Sequence, residues 1–491
     1  MVFSSPQFLF LFLPLALVVY ALAPRRARNL VLLLLSLLFY TWGEAGHLWL
    51  LLLLIAVNWS AGLVIENDRR AERRTVAAAA AIAVDLAALV WFKYAMFLAH
   101  NAARLGVASV ALDGIILPLG ISFYVFHNIS YVVDVYRRVA PARRNPIDFA
   151  LYIAFFPQLI AGPIIRYHDI AAALDRRRVT AGSFASGMER FFAGLAKKML
   201  LANPLGATAD RIFAVPHQAL AAGPAWLGIA CYSLQIYLDF SGYSDMAIGL
   251  ARMFGFEFLE NFNYPYISAS IQEFWRRWHI SLSNWFREYV YVPLGGNRGG
   301  PVRTYRNLIV VFLLCGFWHG ANWTFLVWGM MHGSFLVLER AGLGAILARA
   351  PRLVRHFYTL GVVAGAWVFF RSENLVSAGR YFRALAGLSP LSRGPSVWYY
   401  LDRETALALL IGAVVATPLF SWITRDWRAR ALQWRGAVDR SVVQASDGAM
   451  LVSARGLMLA LLMSLSFVQL AGAVYNPCLL YTSDAADDLT R

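Results

Sequence analysis

An all-α polytopic membrane protein is the fold class that this sequence predicts, and three observations carry the prediction. Of 491 residues, 59% are hydrophobic and 15% charged, with a mean hydropathy of +0.55, which is more apolar surface than a soluble core can hide. Apolar runs close to the roughly 20 residues needed to cross a hydrocarbon core recur along the chain. Charge is confined to short connections, and in lipid a helix pairs its own backbone groups where an open strand cannot.

The elements follow from those runs. Spans are predicted over 7–23, 30–42, 48–65, 75–99, 115–136, 149–165, 225–254, 307–338, 355–371, 404–423 and 455–475, about eleven crossings in all. The first has no basic n-region and no small-residue cleavage site before Pro24, so it reads as a retained span rather than a signal peptide. The second is short for a full crossing, while 307–338 is long for one and predicts tilt or a break near Gly320-Ala321. Segments 184–202 and 274–291 read as interfacial helices. PQLIAGPIIRY, Pro157 to Tyr167, holds two prolines and a glycine in an apolar run and reads as a broken or re-entrant element lining a cavity. No internal repeat is visible, which argues against an inverted-repeat transporter. The last sixteen residues, 476–491, turn acidic and low in complexity, so they are read as an appended tail and 1–475 as the membrane domain.

The formal net charge of +16 raises nucleic acid as a partner, and its placement argues against that. Connection 24–29 carries three arginines, 43–47 none, 66–74 four, 100–114 one and 137–146 four. Alternating excess is the positive-inside pattern, with the N-terminus outside and Arg25, Arg26 and Arg28 in the cytosol. Cys231, Cys315 and Cys478 lack the spacing of a thiolate site, so neither a metal nor a disulfide is expected.

Chemistry concentrates in three stretches. In CGFWHGANW, His319 stands beside Trp318 inside an apolar span, where an ionisable group costs several kcal/mol unless it is paired or used. A neutral imidazole there offers a lone pair to a hydroxyl proton, the role of a general base. Read as one helix, Cys315, Asn322 and Trp323 share its face, with Asn322 placed to orient it and Gly316 and Gly320 leaving room for a close approach. In EFWRRWHISLSNWFREYVY, about 100° per residue collects Trp275, Trp278, Leu282, Trp285, Phe286 and Tyr289 in one stripe, with Arg276, Arg277, Asn284, Arg287 and Glu288 opposite. That is a membrane-surface pattern, with the arginines available to lipid phosphates or an anionic substrate and His279 at the edge of the stripe. In YLDFSGYSDMAIG, Asp239, Ser241, Ser244 and Asp245 need partners inside a span and are expected to line a polar path or to pair with Arg252 and Arg276.

FFPQLIAGPIIRYHDI, IYLDFSGYSDMAIGLARMFGFEFLENFNYPY, FWRRWHISLSNWFREYVYVPLGGNR and FWHGANWTFLVWGMMHG together resemble the membrane-bound O-acyltransferase family, in its bacterial alginate O-acetyltransferase branch. The resemblance runs over roughly residues 1–475 and is most specific from Tyr237 to Gly333. It implies a helical bundle with a central funnel or tunnel, with His319 and His279 in the catalytic site. It implies an acetyl group from acetyl-CoA or another cytosolic thioester carrier, passed across the bacterial inner membrane toward an exported, alginate-like polysaccharide. A periplasmic acetyltransferase partner, export machinery and membrane lipids are the implied partners. D-alanyl transfer to a cell-envelope polymer and a transporter of polysaccharide or lipid-linked sugar are the alternatives. A purely structural platform for an export complex is a weaker one.

Overall fold

The computed structural model describes residues 2–107, 112, 114–216, 219–389, 394–419, 456–457 and 460–472, and the tail reading of 476–491 lies outside them. Every regular element among the described residues is a helix. Three of these helices are long and apolar enough to cross a membrane, Leu48–Asn67, Ala71–Arg104 and Arg352–Arg371, with Phe8–Leu22 and Ala460–Gly472 apolar but shorter. Other helices carry polar side chains into the bundle, where a neighbouring helix rather than lipid receives them.

We label the chain as α1 (Phe8–Leu22), α2 (Arg28–Gly43), α3 (Leu48–Asn67), α4 (Ala71–Arg104) and α5 (Ile121–Tyr136). The run expected at 149–165 is broken, as its prolines predict. It comprises α6 (Pro146–Ala154), a single turn α7 (Phe156–Leu159), and then buried backbone outside any helix up to Arg166. After α8 (Tyr167–Asp175) comes α9 (Ala181–Ala196), which runs through a π-turn at Lys197–Ala202 into α10 (Asn203–Phe213). The 184–202 segment does not rest on the outside of the bundle. It packs antiparallel along α11 (Ala222–Met253), with Gly187 against Gly249 and Gly194 against Gly242.

Two expected helices prove to be divided. Residues 274–291 form α12 (Ile271–Arg277) and α13 (Ile280–Phe286), separated by Trp278 and by His279 in a left-handed conformation (φ 43°, ψ 55°). The periodic stripe therefore does not persist as one surface, and Trp275, Trp278 and Trp285 are buried in the protein core rather than laid on a headgroup layer. Residues 307–338 form a hairpin of α14 (Gly300–His319) and α15 (Trp323–Leu338), broken at Gly320–Asn322 as predicted. A side chain on Gly316 would fall on the Phe325 carbonyl and one on Gly329 on the Phe312 carbonyl, so backbone packs directly on backbone between the two arms. The described chain continues through α16 (Arg352–Arg371), α17 (Leu375–Leu385) and α18 (Arg403–Val415).

The arginine-rich connections gather at one end of the bundle. Asn29 donates to Asp148 (2.7 Å), Glu66 accepts from the Ala142 amide, and Arg74 donates to the Tyr136 carbonyl (3.0 Å). Tyr20 donates to the Phe254 carbonyl (2.9 Å), which brings the last turn of α11 to that end. At the opposite end, Trp323 donates to Asn101 (3.0 Å) and Asn322 to the Glu373 carbonyl (2.8 Å).

Candidate active site

His319 is the last residue of α14, because Gly320 is extended and Asn322 starts the next helix. Three rings stand edge-on to the imidazole, Trp318 at 4.9 Å, Trp328 at 5.0 Å and Phe370 at 5.2 Å. The side chain is half-buried, and no hydrogen bond to its ring is found among the described residues. It is walled by aromatic edges yet keeps accessible surface, as a group that must meet a ligand does.

Trp318 joins this histidine to the other. Its ring lies 6.3 Å from that of His279, stacks on Phe126 at 5.3 Å, and donates through Nε1–H to the Ser122 carbonyl (3.5 Å). The Lys93 ammonium stands 5.7 Å from the Trp318 ring centroid and donates to Ser122 Oγ (2.9 Å). Tyr94 stacks on Phe317 at 3.9 Å and donates to its carbonyl (2.8 Å), pinning α4 beside the histidine.

His279 is only 1% exposed and lies edge-on to Phe240 at 4.7 Å. Its Nδ1 meets Asn261 Oδ1 at 3.1 Å, and its Nε2 has no partner among the described residues. Ser281 Oγ donates to the same Asn261 oxygen (2.9 Å) and accepts the Ile164 amide (3.0 Å), which joins the broken stretch after α7 to this seat. A cavity of about 480 Å³ borders Asn261 and Ile280 and is lined also by Arg190, Lys197, Ser241 and Asp245. Asp245 lies about two turns before the arginine end of α11, so this cavity occupies that half of the bundle, whereas His319 is nearer the other.

The remaining expected residues are placed as follows. Asn322 does not share a helical face with His319, since the chain turns between them; its Oδ1 caps α15 by accepting the Thr324 amide (3.1 Å). Asp239 and Asp245 do not pair with Arg252 or Arg276. Lys198, fully buried, donates to Asp239 (2.6 Å), and Asp245 accepts from Lys197 (2.6 Å) and Arg190 (2.7 Å), while Arg252 turns to Glu257 (3.1 Å). Ser241 is buried on the cavity wall, with its Oγ unpartnered among the described residues. Arg276 is exposed, and Arg277 is tied to Glu273 (3.0 Å) and the Asn263 carbonyl (3.0 Å), so neither guanidinium reaches the imidazoles.

Sequence reasoning passed over His332, Lys93 and Asn261. His332 is fully buried, accepts from Trp275 Nε1–H (3.2 Å), and lies 5.1 Å from Trp328, the ring that also faces His319. The signal that singled out His319, an imidazole inside an apolar span, was present for it too. Cys231 and Cys315 are free thiols, and no group of three His, Cys, Asp or Glu suited to a metal occurs among the described residues.

Known proteins align with these features. The family model for membrane-bound O-acyltransferases matches residues 121–371, which include both histidines and the hairpin. A probable alginate O-acetylase of Azotobacter vinelandii is 48% identical over 78% of this chain and 78% of its own length. Another, of Pseudomonas putida, is 44% identical over 98% of this chain and all of its own. A peptidoglycan O-acetyltransferase of Helicobacter pylori is 36% identical over 86% of this chain and 87% of its own.

Proposed function

We propose, from the premise that this chain belongs to the membrane-bound O-acyltransferase family and is a multi-pass O-acetyltransferase, that it moves acetyl groups from a cytosolic thioester to an exported, alginate-like polysaccharide. The observation that carries the reading is the placement of His319. It is an imidazole at a helix end, inside an aromatic wall, with accessible surface and no hydrogen-bond partner among the described residues.

In this reading His319 accepts the proton of the attacking hydroxyl as oxygen bonds to the thioester carbon. The C–S bond then breaks, and the thiolate leaves with the proton returned from the imidazolium. His279 assists through the shared Trp318 wall, by position or by charge stabilisation. Support for opposite approaches comes from the two halves of the bundle, with the polar cavity toward the arginine end and His319 toward the other. About eleven crossings, a funnel or tunnel joining those halves, an inner-membrane location and a periplasmic N-terminus complete the proposal. Acetyl-CoA or another acetyl carrier is the donor. A periplasmic acetyltransferase with the export machinery receives the group or directs it, and arginines on the cytosolic side draw in the donor's phosphates.

The test is O-acetyl content of the exopolymer in cells carrying His319→Ala, at matched membrane abundance. A fall of roughly 100-fold or more is expected, and full acetylation would refute the assignment. Supplying isolated membranes with labelled acetyl and D-alanyl thioesters separates the two acyl groups, and uptake of polymer without acyl transfer would favour a transporter.

A further inference from the structure

We infer that Asn261 is a positioning residue that locks His279 in a single tautomer, with the proton on Nδ1 and a bare lone pair on Nε2. The inference rests on the reading that His279 serves acetyl transfer, and it adds the residue that makes this ring an acceptor.

An asparagine oxygen and nitrogen are distinguished only by what surrounds them. Here the surroundings decide. The Ser281 backbone amide, which can only donate, points at Asn261 Oδ1 (3.3 Å), and the Ser281 hydroxyl donates to the same oxygen (2.9 Å). On its other side, Asn261 Nδ2–H donates to Ser244 Oγ (3.0 Å). The oxygen therefore faces His279, and an oxygen 3.1 Å from Nδ1 requires that Nδ1 carry the hydrogen. In a neutral ring Nε2 is then an acceptor, and it is buried without a partner among the described residues.

The rest of the seat holds this arrangement in place. Asn261, Ser244 and Ser281 are each at most 2% exposed, and the Asn261 carbonyl also accepts the Ile280 amide (2.9 Å). One residue thus grips the chain at the two positions that follow a histidine whose backbone is left-handed, a conformation that a non-glycine residue holds only when its surroundings impose it. An unpaired buried nitrogen costs free energy. A seat that holds such a nitrogen with four hydrogen bonds is explained by a ligand N–H or O–H that donates a hydrogen bond to Nε2 during turnover.

The experiment uses the full chain in lipid, labelled with 15N-histidine, with the His279 signals assigned by their loss in His279→Gln. Solid-state NMR of the unsubstituted protein is expected to show a protonated Nδ1 and an unprotonated Nε2, and a protonated Nε2 would overturn the inference without any appeal to activity. In Asn261→Ala the ring is expected to populate both tautomers and kcat to fall roughly 100-fold with KM for the acetyl thioester unchanged. Asn261→Asp, which keeps the acceptor, is expected to restore the single tautomer and part of kcat. Normal kcat in a folded Asn261→Ala protein would overturn the role of Asn261 alone, whereas full activity in His279→Gln would remove the reading on which it rests.

Discussion

Two layers of the site treat polar groups in opposite ways. Around α9 and α11 every buried charge is answered: Lys198 meets Asp239 at 2.6 Å, and Asp245 lies between Lys197 and Arg190. Among the described residues no ion pair forms around His319, and aromatic edges surround an imidazole that bonds to none of them. Burying a charge is tolerable when its partner comes with it, and such pairs hold helices in register. An unpaired polar ring in a membrane bundle brings no such structural return, so its retention points to use. On the proposed reading the first layer is architecture and the second is chemistry.

That division makes predictions that can break it, beginning with the largest effect. His319→Ala should abolish acetyl transfer, by roughly 100- to 10,000-fold, while thermal unfolding in detergent shows no loss of stability; a lower melting temperature would mean that the ring is structural after all. Lys198→Met should do the reverse. It leaves the Asp239 carboxylate without its ammonium and should destabilise the fold by about 3–5 kcal/mol, read as reduced yield and a lower melting temperature, with residual activity tracking the folded fraction. Gly329→Val lies between the layers. The added side chain meets the Phe312 carbonyl, so the hairpin arms must part at a cost of about 1–3 kcal/mol, and specific activity should fall along with stability because His319 ends one arm. Trp318→Phe keeps an aromatic wall and loses one N–H donor to Ser122, for about 1 kcal/mol in stability. The finest control is His127, fully buried with both ring nitrogens unpartnered among the described residues. It lacks both the access of His319 and the Asn261 seat of His279, so His127→Phe should leave both acetyl transfer and melting nearly unchanged. Loss of activity there would show that access is the wrong criterion.

What the sequence revealed follows the same division. His319 stood out as the candidate because an imidazole in an apolar run is conspicuous, and the glycine after it marked the hairpin. His279 was found with the wrong surroundings, since a projection at a fixed angle per residue assumes an unbroken helix and the chain turns left-handed at that residue. Asn261 lies in irregular chain between α11 and α12, where no periodicity speaks. The partner of Asp239 was misplaced for a related reason. Lys198 stands in a π-turn of a segment whose lysines read as interfacial, and only the glycine contacts between α9 and α11 bring it inward. The arginine connections, by contrast, needed no tertiary information, because their alternation is a property of order along the chain.

The Ser281 hydroxyl, shared between Asn261 and the Ile164 amide, is a single pin through two segments. The stretch after α7 has no helical ladder to stiffen it, yet it cannot shift near Ile164 without pulling on that pin and loosening the ring that depends on Asn261. Plasticity in those few residues and the sharpness of the histidine's aim are therefore one mechanical quantity, and a change that softens the first should blunt the second.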